Sequence, residues 1–150
     1  MIHQKHVDFY INQFKTGQIK FNQERKDLIE YLERDVLSRD DVYFDDEMID
    51  KCIAYGEKWF FPMQPFQKFL IAFVFFFFKK NDRRVYRKFL WMFGRGGGKN
   101  GLLSVVLNFL QTEVHGIMDY NISIVANSEE QAKTSFEEIY NTIKRNKTLQ

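Results

Sequence analysis

The sequence predicts an α/β fold, an incomplete parallel sheet preceded by an N-terminal helical region. Three observations predict it. The apolar run Phe89-Leu90-Trp91-Met92-Phe93 enters a glycine-rich turn and then, without a break, a helical pattern. A second apolar run, Ile122-Ser123-Ile124-Val125-Ala126, is followed by another helical pattern. Strand, helix, strand, helix in that order implies parallel pairing through a right-handed crossover. Residues 1–60 read as the helical region and residues 61–150 as the first part of the α/β domain.

The elements follow in order. Residues 1–21 carry Gly17 and read as a short helix or an ordered arm. Asn22 is placed to cap a helix running to about Leu37, with Leu28, Ile29, Leu32 and Val36 on one apolar face. Ser38-Arg39-Asp40-Asp41 is a polar connection. Asp45 then caps the next helix, and Phe44 is positioned to staple onto Ile49. Met48, Ile49, Cys52, Ile53 and Phe60 continue that face until Phe61-Pro62-Met63-Gln64-Pro65 breaks it. Pro65 suits the first position of a new helix, which carries Phe66, Phe69, Leu70 and Phe73 on to Phe78. Lys79-Lys80-Asn81-Asp82-Arg83-Arg84 is a charged turn, extended by Arg87-Lys88. It reads first as a solvated loop; contact with a phosphate backbone is the alternative. Gly101 to Thr112 is a helix with apolar residues around most of its circumference and a narrow polar stripe of Gly101, Ser104, Asn108 and Gln111. Ser128 and Gln131 make a capping box for a last helix, along which Ala132, Phe136, Ile139, Tyr140 and Ile143 recur at helical spacing.

The stretch Gly94-Arg95-Gly96-Gly97-Gly98-Lys99-Asn100 carries the chemistry. Glycines let backbone N–H groups crowd an anion, and the helix that starts at the lysine adds its positive end. Lys99 then supplies a mobile cation for the terminal phosphates. The full P-loop pattern is G-x-x-x-x-G-K-[ST]. Here Gly98 and Lys99 match, Phe93 stands where the first glycine belongs, and Asn100 replaces the hydroxyl residue that binds Mg²⁺. A glycine turn between strand and helix is the plainer alternative; the lysine at the helix start favours phosphate binding. An NTPase of this type also needs an acidic residue at the end of a later strand. No apolar strand ending in Asp or Glu follows Ala126, so the chain is expected to be the front of such an enzyme.

Composition bounds the rest. The 150 residues suffice for one domain with a core, and 45% hydrophobic content argues against disorder. A single cysteine, Cys52, excludes an internal disulfide or a cysteine zinc cluster and fits a reducing cytoplasm. The three histidines, His3, His6 and His115, are too scattered to suggest a metal site. With 22 basic and 20 acidic residues the net charge is only +2, so no global field points to nucleic acid. The N-terminus lacks the apolar core of a signal peptide. Phe69 to Phe78 is an unbroken run of ten apolar residues, whereas a membrane span needs about 20. A buried helix is the better reading.

Taken together, the segments across about residues 21–145 resemble the large terminase subunit of tailed bacteriophages. Arg95-Gly96-Gly97-Gly98-Lys99-Asn100 is similar to that family's variant P-loop, in which arginine opens the turn and the first glycine is often absent. Pro65-Phe66-Gln67-Lys68-Phe69-Leu70-Ile71 resembles its upstream proline-aromatic-glutamine segment. Tyr43-Phe44-Asp45, Arg25-Lys26-Asp27-Leu28 and Ala126-Asn127-Ser128-Glu129-Glu130-Gln131-Ala132-Lys133 are similar to further landmarks.

The resemblance implies an ATPase that packages viral DNA into the capsid, joined to a C-terminal nuclease whose carboxylates have no counterpart in this sequence. It implies ATP and Mg²⁺ as cofactors, and double-stranded viral DNA, the portal protein and the small terminase subunit as partners. It further implies a homo-oligomeric ring, no membrane, and the cytoplasm of a bacterial host. By the same resemblance Gln67 contacts the adenine base, Gly96, Gly97 and Gly98 offer backbone N–H groups, and Lys99 takes the β- and γ-phosphates. Arg95 either stabilises charge on the γ-phosphate or is a surface arginine. Asn100 offers an amide oxygen to Mg²⁺ with a reach unlike that of serine or threonine. A different P-loop enzyme, or a nucleotide-binding fragment without catalysis, is the competing expectation.

Overall fold

The structure is a computed structural model that describes residues 1–149. The fold is mixed helix and strand. Its elements are α1 (Lys5–Lys15), α2 (Gln23–Tyr31), β1 (Val42–Phe44), α3 (Asp46–Trp59), α4 (Pro65–Val74), β2 (Phe76–Phe78), α5 (Lys99–Leu110) and α6 (Glu129–Arg145). A π-helical turn, Leu32–Val36, extends α2; short 3-10 turns follow α5 and α6. The chain divides into two compact units. One comprises residues 1–49 and 64–89, the other residues 50–63 and 90–150.

In the first unit, local chemistry sets the helix ends. Asn22 accepts from Arg25 N at 3.2 Å, and Asp45 accepts from Met48 N at 3.0 Å, so both cap as their residue types dictate. The π turn closes when Leu37 N donates to Leu32 O at 2.7 Å, and it brings Leu32, Val36 and Leu37 all into the core. The phenylalanine run does not remain helical to Phe78. Helix α4 ends at Val74, and Phe76–Phe78 pair antiparallel with Val42–Phe44, Phe44 opposite Phe76. Aromatic residues lose rotamer freedom in a helix and pack well across a ladder. Here Phe44 stacks on Phe76 at 4.4 Å and meets Phe73 edge-on at 5.4 Å. The charged turn 79–83 then folds back, with Phe78 N donating to Arg83 O and Val85 N to Phe76 O, each at 2.9 Å.

The second unit is built on α5, whose Leu102, Val105 and Phe109 are fully buried. The end of α3 packs on it closely at Gly56. A methyl group there would come within 2.7 Å of Val105 Cγ1. Tyr55 lies 5.8 Å from Phe109, ring centre to ring centre. Ser128 caps α6 by accepting from Gln131 N at 3.3 Å.

The structure does not show the parallel sheet expected from residues 89–93 and 122–126. Both segments are without regular strand pairing among the described residues, and the sheet present is the antiparallel β1–β2 pair. Leu90, Met92 and Val125 are 84%, 86% and 91% exposed, so no layer among the described residues covers the outer face of either run. Two short strands without such a layer are marginal in water. No helix among the described residues is long and apolar enough to cross a membrane.

Candidate phosphate-binding turn

Residues 93–101 close on themselves. Gly97 N donates to Gly94 O at 3.0 Å, which makes a four-residue turn with Arg95 and Gly96 at its corners. Gly96 has φ +77°, a left-handed conformation that glycine adopts without steric cost. Gly98 repeats it, with φ +77° and ψ +21°, and stands as the residue before α5. At Gly97 a Cβ would lie 3.0 Å from Gly94 O, so a larger residue there would push the turn by a few tenths of an ångström.

Helix α5 therefore starts on a residue with no side chain. Its first turn has no side-chain cap, and its first amides lack the acceptor that serine or aspartate would bring. The turn wraps a depression of about 350 Å³ lined, among the described residues, by residues 93–101. Orphan amides, a helix N-terminus and a concave glycine turn are groups that can receive an anion. Arg95 and Lys99 are exposed at its rim, and neither forms an ion pair among the described residues. Among the described residues no carboxylate lines the depression.

Asn100 occupies the second position of α5, exposed, with its amide at the same rim. It is one neutral oxygen donor. Among the described residues no group of three or more His, Cys, Asp or Glu is arranged to hold a metal ion. The residues present thus fit a polyphosphate and do not by themselves make a cage for Mg²⁺.

Gln67 has a local partner. It is buried in the first turn of α4, and its Oε1 accepts from Gln64 N at 2.9 Å. It belongs to the first compact unit and the glycine turn to the second. The side chain that the resemblance assigns to adenine is the third-position partner of Gln64 in the capping box of its own helix.

Behind the turn lie contacts with little sign in the sequence. Gly101 faces Phe61, whose ring would be 2.8 Å from an added Cβ. Ser104 Oγ donates to Glu138 Oε2 at 2.8 Å and joins α5 to α6. The Tyr55 hydroxyl donates to the buried Asn108 side-chain oxygen. Burial, with Cys52 adding to it, pushes the Tyr55 hydroxyl up to about 12. Burial likewise pushes the Cys52 thiol well above its ordinary range. Ser104 and Asn108 stand four residues apart in an otherwise apolar helix. That spacing is the available signal, and only their partners show that the stripe faces inward. His115 is buried too, its Nδ1–H donating to Leu110 O at 2.9 Å.

Compared with protein-family models, with curated proteins and with solved structures, the chain matches none.

Proposed function

We propose that this chain binds ATP through residues 94–101 and is the nucleotide-binding front portion of a phage terminase large subunit, the motor that packages viral DNA into the capsid. One observation carries the binding step: a left-handed glycine turn opens an uncapped helix around a depression lined by its own residues, with Lys99 and Arg95 unpaired at the rim. Backbone N–H groups of residues 96–99 hold the phosphate oxygens. Lys99 neutralises the terminal phosphates as a point charge. Arg95 offers a planar fork of donors to the same oxygens. Asn100 offers its amide oxygen to Mg²⁺ that arrives on the nucleotide.

The assignment to packaging rests on the similar P-loop, the proline-aromatic-glutamine segment and the other landmarks in their order along the chain. It carries a finer fold, a parallel P-loop sheet built on residues 89–93 and 122–126. Support for that comes from alternating burial: Trp91 and Phe93 are half-buried between exposed neighbours, as are Ile122 and Ile124. It also carries the partners named above, double-stranded DNA, portal protein and small subunit, and a site of action in the bacterial cytoplasm.

The test is ATP binding by isothermal titration calorimetry. Lys99→Ala should abolish measurable binding while the far-ultraviolet circular dichroism stays that of the unaltered chain. Equal affinity in the two proteins removes the phosphate site, and the packaging assignment with it.

A further inference from the structure

A second cavity lies in the same compact unit, beside α6. It has a volume of about 280 Å³, and its lining includes Trp59, Phe60, Glu138, Asn141, Arg145 and Asn146. Helices α5 and α6 run antiparallel: Gly101 faces Glu138, while Ser104 meets both Glu138 and Ser135. At 1.5 Å per residue, the turn of α6 beyond Glu138 lies beside the N-terminal end of α5, where the glycine turn sits. Glu138 lines this cavity and also reaches α5 at Gly101. Its Oε1 is 3.7 Å from the Cβ position of Gly101, which itself lines the first depression.

We propose that this cavity takes the base and ribose of a nucleoside triphosphate whose phosphates rest on residues 96–99. The proposal rests on the phosphate reading above and assigns base recognition to residues other than Gln67. The chemistry suits the task. Trp59, over whose ring Lys58 Nζ lies at 4.4 Å, and Phe60 line the cavity with aromatic surface, on which any base stacks. One oxygen of Glu138 is held by Ser104 at 2.8 Å, and the other is an acceptor of the kind that ribose hydroxyls use. Asn146 Nδ2 donates to Thr142 O at 2.8 Å, which fixes its amide and leaves Oδ1 as an acceptor. Asn141 brings both a donor and an acceptor. Arg145 forms no ion pair among the described residues and can lie flat against a base. A cavity this small matches one end of a ligand rather than a whole one.

Binding of ATP and of inorganic triphosphate to the full chain separates the two sites. Trp59→Leu and Asn141→Ala should each weaken ATP, the first on the order of tenfold, and leave inorganic triphosphate unchanged. Asn141 is exposed, so its variant retains the fold and keeps the test intact if Trp59→Leu does not. Lys99→Ala should weaken both ligands. If both cavity variants bind ATP as tightly as the unaltered chain while Lys99→Ala loses it, the base subsite is wrong and the phosphate site stands. An unaltered chain that holds inorganic triphosphate as tightly as ATP likewise rules out the base subsite and spares the phosphate site. If Lys99→Ala binds both ligands normally, the phosphate site itself has failed.

Discussion

Replacing Gly96 by alanine isolates the backbone geometry of the turn. Gly96 sits at φ +77°, and an added Cβ would have no atom within 4 Å. Packing therefore contributes nothing, and the effect on the folded state is the cost of holding an L-residue left-handed, about 1–2 kcal/mol. Alanine also narrows the unfolded ensemble, which returns about 0.4–1 kcal/mol. Gly94 is the matched control. It lies in the same turn, has equally open space and lacks the positive φ. Gly94→Ala has the unfolded-state gain without the strain, so that term cancels between the two variants. The difference between them should be about 1–2 kcal/mol, or about 2–8 °C in melting temperature for a chain of this size. If the alanine turn relaxes instead, the strain appears as weaker ATP binding, about tenfold for each 1.4 kcal/mol. Gly96→Asn should recover most of the loss, because asparagine tolerates the left-handed region. Thermal melts followed by circular dichroism, with ATP titrations on the same samples, measure both. Identical melting and identical ATP affinity in Gly94→Ala and Gly96→Ala would refute a left-handed turn at this position.

Other outcomes follow from the packing around α5. Gly56→Ala places a methyl 2.1 Å from Met63 Cε and 2.7 Å from Val105 Cγ1. Met63 can swing away and Val105 cannot, so overpacking of about 1–3 kcal/mol should outweigh a helix-propensity gain of about 1 kcal/mol, read as a lower urea midpoint. Tyr55→Phe leaves the Asn108 oxygen buried without its donor and should cost about 1–3 kcal/mol by the same measurement. The Tyr55 hydroxyl is raised by burial from 10.0 to about 12. Its contribution is complete below pH 10 and fades as pH rises towards 12, because the unfolded chain then binds fewer protons than the folded one. The unaltered chain should lose stability across that interval more steeply than Tyr55→Phe; parallel slopes would place the hydroxyl in water. Gln67→Ala removes the acceptor for Gln64 N and should destabilise by about 1 kcal/mol. If ATP affinity also falls, the glutamine serves the base as well as its helix.

Much of this protein is legible residue by residue. Asn22, Asp45 and Ser128 each cap the helix that their side chains predict, because a cap is settled within three residues of chain. The glycine turn is legible for the same reason: φ +77° at Gly96 and Gly98 is a local property of glycine, and the lysine directly after it begins the helix. What needed the tertiary structure is every pairing between distant segments. Phe76–Phe78 leave the helical pattern because Val42–Phe44 offer a ladder and an aromatic stack. Residues 89–93 and 122–126 read as strands, yet their pairing depends on neighbours and a covering layer that no local pattern encodes. Ser104 and Asn108 read as a polar stripe, and only the fold sets Glu138 and Tyr55 against them. Helix caps and turns are decided by backbone sterics and adjacent hydrogen bonds, so they can be read along the chain. Ladders and buried polar partners are decided by which surfaces exclude water together, and that is a property of the folded whole.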